Sequence, residues 1–240
     1  MNASSVTMQA YVAASTLCDC DNPWLRMKAE EIIDGAATPE EKALKVFYDV
    51  RDHVRFSLAF SRSTASQTLR RGYGECGNKT NAQVALLRAV GIPARFRWVK
   101  AKAEVLHHLI EDFVYDHMPP VASHFWCECY LDGRWISCEL LLDKPLYDGM
   151  LREGLITKEQ ILTIDWDGRT DLVLLTSWIT EDCGHLDSYD DVITALETSE
   201  EGMPPLWIER IIAPVFYRLN LRESDRIRRI SGNGHEPGRS

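Results

Sequence analysis

The sequence predicts an α+β domain in which helices pack on an antiparallel β-sheet. Helical patterns fill most of the chain before residue 91, and strand patterns with a hairpin turn follow between residues 95 and 139. Runs of helices followed by runs of strands are typical of α+β folds, whereas alternating strands and helices build parallel sheets. A chain of 240 residues suits a single domain, which we place at residues 1–221 with its principal motifs in 65–139.

The N-terminal part of the chain carries two helix-start signals. One helix begins near Pro23 and ends at Gly35. The next begins at Thr38, which is followed by Pro39 in the first turn and by Glu41 in position for a capping box. Its apolar residues recur at helical spacing and mark a buried face: Ala43, Leu44, Val46, Phe47, Val50 and Val54.

A third helix and three strands follow an irregular polar segment at 57–73. The helix covers 78–90, and Gly91-Ile92-Pro93 ends it. The predicted strands are 95–99, 124–130 and 134–139, and a turn at Leu131-Asp132-Gly133 joins the last two.

The pattern is weaker beyond residue 140. Residues 188–197 and 205–219 have helical patterns, but 165–185 gives mixed signals and no assignment. The last segment, 222–240, is basic and then rich in glycine and proline, which predicts a partly disordered C-terminal tail.

Charge and composition exclude several classes of partner. A net charge of −9 argues against nucleic acid or an anionic membrane as the general partner. No stretch approaches the ~20 apolar residues of a membrane-spanning helix, and the N-terminus lacks the pattern of a signal peptide. The seven cysteines cannot all pair within one chain, so we expect reduced thiols in a cytoplasmic protein.

Cys76 lies in an unusual setting for a packing residue. It stands in the stretch YGECGNKT, flanked by Glu75 and Gly77 and directly before the predicted helix 78–90. The unpaired N–H groups and the positive dipole end of that helix would stabilise a thiolate, the reactive form of cysteine. This predicts an accessible nucleophile with a pKa below about 8.5. The alternative is a small buried hydrophobic residue, which describes most cysteines outside disulfides.

Among seven histidines, His124 has the most informative context. It opens the alternating run HFWCECYL, in which one strand face carries His124, Trp126, Glu128 and Tyr130. If Asp132-Gly133 is a two-residue hairpin turn, residue 131 pairs with 134 and the same face continues to Glu139.

The hairpin register selects the carboxylate that could orient His124. Glu139 becomes its diagonal neighbour, at a Cα spacing of roughly 7–8 Å that two side chains can span. Glu128 shares the face but lies about 13 Å along the strand. A slip of one residue would move Glu139 to the other face, and an ordinary surface hairpin would show similar alternation. The leading hypothesis is a triad of Cys76, His124 and Glu139.

These blocks resemble the transglutaminase-like superfamily of cysteine enzymes. GYGECGNKTNAQVALLRAVGIPARF is similar to the family's cysteine block, and HFWCECYLDGRWISCE is similar to its histidine and acid blocks. The resemblance implies a papain-like fold with the nucleophile at the N-terminus of a central helix packed on an antiparallel sheet. It also implies Cys76 as nucleophile, His124 as general base and acid, and Glu139 as orienting acid, where the family usually has Asp. Gln67 is a weak match to the family's second oxyanion donor and is not assigned to the site.

The resemblance leaves the reaction open. Members of such a family attack a carbonyl with the thiolate and form a thioester, and we expect hydrolysis of a peptide or amide bond as the outcome. One alternative is a biosynthetic acyltransferase or cyclase acting on a small or carrier-bound acyl substrate. Another is an inactive binding module with a transglutaminase-like fold. Segment 140–187 is apolar and lies outside the motif blocks, so we expect it to cap or line the cleft and to select the substrate.

No cofactor or metal is predicted. Cys18-Asp19-Cys20 and Cys127-Glu128-Cys129 are C-x-C pairs, but structural zinc sites more often use longer spacers with a second pair at a recognisable distance. The expected partner is a peptide, amide or acyl substrate, with neither nucleic acid nor membrane, and the oligomeric state is left open.

Overall fold

The computed structural model describes residues 8–58, 62–199, 202–203 and 205–232, with side chains described as far as residue 230. The helices are α1 (Pro23–Ile33), α2 (Pro39–His53), α3 (Ala65–Arg71), α4 (Cys76–Ala89), α5 (Asp112–Tyr115), α6 (Lys144–Arg152), α7 (Tyr189–Thr198) and α8 (Leu206–Gly232). The strands are β1 (Arg55–Phe56), β2 (Tyr73–Gly74), β3 (Ala94–Lys102), β4 (Val121–Leu131), β5 (Arg134–Ser137) and β6 (Ile179–Leu186). Two 3₁₀ turns lie at Ala103–Leu106 and Thr176–Trp178.

The main sheet is antiparallel, with strand order β5-β4-β3-β6, while β1 and β2 form a separate parallel pair. The helices before α4 and the four-stranded sheet after it confirm the predicted α+β class. Asp132 and Gly133 both have positive φ, 47° and 79°, as a two-residue turn with matching twist requires. The hairpin pairs Leu131 with Arg134 and Glu128 with Ser137, which is the predicted register.

Helix α4 is the central element, and its residues from Gly77 to Arg88 are all buried. A helix that is enclosed on all sides must satisfy its polar side chains within the protein. Thr80 donates to the carbonyl of Phe125 on β4, and Arg88 donates to the carbonyl of Ala94 on β3. These bonds attach α4 to the sheet. They also account for the polar side chains of a helix that is buried on all sides.

Capping signals account for two of the N-terminal helices. Thr38 and Glu41 form the predicted capping box of α2. Thr64 and Gln67 form a second box that begins α3, inside the segment that the sequence pattern left irregular. The three-residue spacing of Thr64 and Gln67 in the sequence therefore indicates the start of this short helix.

The C-terminal helix α8 packs on α6, and both lie outside the predicted motif blocks. A Cβ atom at Gly149 would lie 2.2 Å from the carbonyl oxygen of Ile227, so only glycine permits this close crossing. Helix α8 runs to Gly232, so the predicted boundary at residue 221 falls within it, and residues 233–240 lie outside the described part of the chain. No helix in the described ranges is both long and apolar enough to cross a bilayer.

Lys79 on α4 is an unusual fully buried cation. Its Nζ donates to the carbonyl of Val54 at 2.5 Å, and burial lowers its pKa to about 7, against the opposing effect of Asp143. Asp143 begins α6 and also binds Arg228 of α8. Lys79 therefore lies where the central helix meets the C-terminal pair.

Lys79→Met should change how stability depends on pH. The unfolded lysine keeps its proton to about pH 10.4, whereas the folded one releases it near pH 7, so in this window the unfolded state binds more protons. The free energy of unfolding of the wild type, measured relative to Lys79→Met, should rise with pH by up to about 1.4 kcal/mol per unit between pH 7 and 10. Urea titrations at several pH values test this, and parallel curves for the two proteins would contradict it.

Candidate active site

Cys76 is the first residue of α4, and Glu75 is the N-cap of that helix. The Glu75 carboxylate accepts hydrogen bonds from the backbone N–H groups of Gly77, at 2.5 Å, and Asn78, at 2.8 Å. A Cβ atom at Gly77 would lie 3.2 Å from this carboxylate and 3.1 Å from the ring of Tyr189, which explains the glycine after the cysteine. The sequence around Cys76 therefore builds a tight helix start, as predicted.

A buried hydrogen-bond network holds Glu75 in place. The Tyr189 hydroxyl on α7 donates to Glu75 Oε1 at 3.2 Å, and it accepts from the Asn78 side chain at 2.8 Å. Asn78 in turn accepts from the Tyr217 hydroxyl of α8 at 2.6 Å. Residues more than 100 positions apart thus fix the carboxylate beside Cys76, and no local sequence pattern indicated them.

The thiol of Cys76 has an unexpected electrostatic environment. Burial and the negative charge of Glu75 raise the pKa of Cys76 well above its ordinary value, although the backbone N–H groups of Phe125 and Gly77 act in the opposite direction. The prediction of a lowered pKa is therefore wrong. The first physical reason is burial of the thiol, which disfavours the charged thiolate. The second is that the Glu75 carboxylate occupies the N–H groups of the helix start and adds a negative charge beside the sulfur.

Glu75→Gln should make Cys76 more reactive toward alkylation. The amide keeps an oxygen for the helix cap but removes the charge, so the pKa of Cys76 should fall and its thiolate fraction should rise. At pH 8 we expect the iodoacetamide rate at Cys76 to increase by roughly tenfold. Peptide mapping over time measures this rate, and Cys183, which is partly exposed on β6, serves as the internal control. An unchanged or slower rate at Cys76 would contradict the assignment.

His124 and Glu139 meet behind the sheet surface, and both side chains are buried. His124 Nε2 lies 2.8 Å from Glu139 Oε1. The other carboxylate oxygen, Oε2, accepts from the backbone N–H groups of Leu174, at 2.5 Å, and Leu175, at 3.4 Å. Glu139 therefore has a fixed orientation and engages Nε2, which leaves Nδ1 as the ring nitrogen available to a thiol.

Cys76 and His124 line the same pocket, which has a cavity volume of about 70 Å³. We call it the Cys76 pocket. Much of its lining comes from the β1 region at residues 56 and 58, the end of β3 with the following 3₁₀ turn at 101–106, the start of β4 at 122–125, and α7 with Met203. The start of α4 at 75–77, Met118, Leu141 and Leu175 also line it. The structure thus brings the three predicted site residues into one connected arrangement, Cys76 and His124 at the pocket and Glu139 behind His124.

The part of the chain that carries Cys76, His124 and Glu139 is similar to a known family. A family model described as the transglutaminase-like superfamily matches residues 26–140, from within α1 to the residue after Glu139. This likeness covers just under half of the chain. No curated protein matches the chain significantly.

Two solved structures are similar to parts of this chain. One is described as a "putative cysteine protease" from Cytophaga hutchinsonii, with 20% identity, 57% of this chain and 41% of that chain covered, and a TM-score of 0.43. The other is described as a "putative protease" from Parabacteroides distasonis, with 12% identity, 54% and 25% coverage, and a TM-score of 0.37. The chain therefore spans about two fifths of the first structure's length and a quarter of the second's.

Segment 140–187 lines part of the Cys76 pocket, as expected. It contributes Leu141 and Leu175, while most of the lining comes from elsewhere in the chain. The backbone N–H groups of Leu174 and Leu175 also donate to the carboxylate of Glu139. That this segment selects the substrate stays a prediction. Gln67, the weak oxyanion candidate, is exposed, and its Oε1 accepts from the N–H of Thr64.

The remaining cysteine pairs are buried in the core. Burial raises the pKa of Cys18 to about 12, and Cys127 and Cys129 pack beside Cys138, whose sulfur lies 3.9 Å from that of Cys129. Within the described ranges, no group of three or more His, Cys, Asp or Glu side chains is arranged to hold a metal ion.

Proposed function

We propose that the protein is a cysteine-dependent acyl-transfer enzyme that forms a thioester on Cys76 and releases the acyl group to water. The bond cleaved would be a peptide or amide bond. The observation that supports this most is the shared pocket of Cys76 and His124, together with the bond of 2.8 Å between His124 Nε2 and Glu139. Glu139 would hold the imidazole in the tautomer whose Nδ1 can accept a proton.

The proposed reaction has two halves. Nδ1 of His124 takes the thiol proton as the Cys76 sulfur bonds to the substrate carbonyl carbon, and the resulting tetrahedral intermediate collapses when the imidazolium gives that proton to the leaving amine. Water then attacks the thioester carbon while His124 takes one of its protons; the C–S bond breaks, the imidazolium returns the proton to the Cys76 sulfur, and the carboxylic acid is released. Because the pKa of Cys76 is raised, the resting thiol stays protonated, and proton transfer must accompany attack rather than precede it.

A second candidate is an acyltransferase or cyclase that resolves the same thioester with an amine or carbon nucleophile. The apolar lining of the Cys76 pocket favours this candidate, because exclusion of water protects a thioester from hydrolysis. Both candidates acylate Cys76 in the same way. They differ in the nucleophile that then attacks the thioester.

Intact-protein mass spectrometry tests the shared step. The protein is mixed with activated amides, peptides and small acyl thioesters, and adducts are mapped to residues. We expect one acyl adduct, at Cys76, that decays in water for a hydrolase and persists until a nucleophile is added for a transferase. Equal, slow labelling of all seven cysteines would support an inactive binding module instead and would overturn the proposal.

A further inference from the structure

The Cys76 pocket has a reactive end and an apolar end. Glu75, Cys76 and His124 lie at the reactive end. The rest of the described lining is dominated by aliphatic and methionine side chains, among them Leu106, Met118, Ile193 and Leu196. These side chains come from three separate parts of the chain: the 3₁₀ turn after β3, the loop before β4, and α7.

We propose that this apolar end binds a linear aliphatic acyl chain and that the substrate is a thioester or amide of such an acid. This inference rests on the proposed function, since it assigns the acyl group that Cys76 would receive. Concave sites with mostly apolar walls and a few polar groups at one end are the usual form of small-molecule sites. The acyl carbonyl would lie at Cys76 and the chain would extend along the apolar walls.

A polar acyl group fits this pocket poorly. Apart from the residues at the reactive end, the polar side chains in the described lining are those of Lys102, Ser123 and Tyr189. Lys102 is exposed, Ser123 Oγ accepts from Trp98 Nε1 and from Lys100 Nζ, and the Tyr189 hydroxyl is bonded to Glu75. A glutamine or peptide amide placed among the aliphatic side chains would lose its hydrogen bonds to water without equivalent replacement.

The acylation rate of Cys76 should depend on the length of the acyl chain. Each methylene group moved from water into an apolar site favours binding by about fourfold. Acylation of Cys76 should therefore accelerate by roughly two orders of magnitude between an acetyl and a hexanoyl donor, four methylenes longer. The rate should then level off or fall once the chain exceeds the pocket.

The test uses N-acetylcysteamine thioesters of straight-chain acids from two to twelve carbons, with acyl adducts counted at each cysteine of the full chain. The rate of adduct formation at Cys76 should depend on chain length, whereas the rate at Cys183 should not. Leu196→Phe, which narrows one wall, should lower the hexanoyl-to-acetyl ratio at Cys76 by at least about tenfold. Leu162→Phe is the matched control, because Leu162 is 77% exposed and outside the pocket lining, and it should leave the ratio unchanged.

The outcomes separate the two proposals. Equal rates at Cys76 for all chain lengths, or faster acylation by a glutaminyl peptide than by hexanoyl donors, would overturn the acyl-chain assignment and leave the proposed function standing. Absence of any adduct at Cys76 would overturn both. If thermal unfolding shows no folded Leu196→Phe protein, Leu106→Phe in the 3₁₀ turn after β3 replaces it, and the same change in the hexanoyl-to-acetyl ratio is expected.

Discussion

Cys76→Ala should eliminate acyl-enzyme formation and lower turnover of a substrate by at least about four orders of magnitude. The sulfur is the atom that forms the covalent bond in the proposed reaction, and neither His124 nor the helix start can replace it. The change removes one atom from a partly exposed side chain, so the melting temperature should shift by only a few degrees. Mass spectrometry of the acyl adduct and a turnover assay measure the two effects separately.

A matched control distinguishes the nucleophile from a generally reactive thiol. Cys183 is also partly exposed, but it lies on β6 and outside the lining of the Cys76 pocket. Cys183→Ser should keep both adduct formation and turnover within about twofold of the wild type. Full turnover by Cys76→Ala on a genuine substrate would refute the assignment of Cys76 as nucleophile.

The hairpin shows what sequence reasoning can achieve at such a site. A two-residue turn at Asp132-Gly133 sets the register of both strands, and register then decides which side chains share a face. The observed bond between His124 and Glu139 follows from that local geometry. The start of α4 at Cys76 was predictable for the same reason, since glycines and helix signals act over a few residues.

The features that were not predicted depend on contacts between distant segments. Glu139 is held by backbone N–H groups 35 and 36 residues away, and Glu75 is bonded to a tyrosine 114 residues away. Backbone donors have no residue signature, and a tyrosine at the start of a helix has many possible roles. The raised pKa of Cys76 could not be predicted for the same reason. It depends on how deeply the fold buries the thiol and on where the Glu75 carboxylate lies, and neither follows from the local sequence.

Glu139→Gln should lower the rate of Cys76 acylation by about three to four orders of magnitude without unfolding the protein. The N–H groups of Leu174 and Leu175 require an acceptor, so they should bind the carbonyl oxygen of the glutamine and turn its NH₂ group toward His124. Nε2 must then accept that hydrogen bond, and the ring proton moves to Nδ1. A protonated Nδ1 cannot take the thiol proton, so the variant retains the histidine in the wrong tautomer.

The pH dependence of the Glu139→Gln variant distinguishes this role from a loss of packing. As pH rises toward the raised pKa of Cys76, a growing fraction of the thiol ionises without a base. The variant's acylation rate should therefore rise toward the wild-type rate, whereas a misfolded site would stay inactive at every pH. Glu139→Asp keeps the charge on a shorter side chain that cannot reach both His124 and Leu174, and we expect an intermediate loss of roughly tenfold to a hundredfold in the acylation rate.

Glu128→Gln is the matched control. Glu128 is buried on the same strand as His124 but is paired with Arg95, so the acylation rate of this variant should stay within about threefold of the wild type. Comparable losses in Glu128→Gln and Glu139→Gln, or a flat pH profile for the latter, would show that Glu139 supports the fold rather than the tautomer of His124.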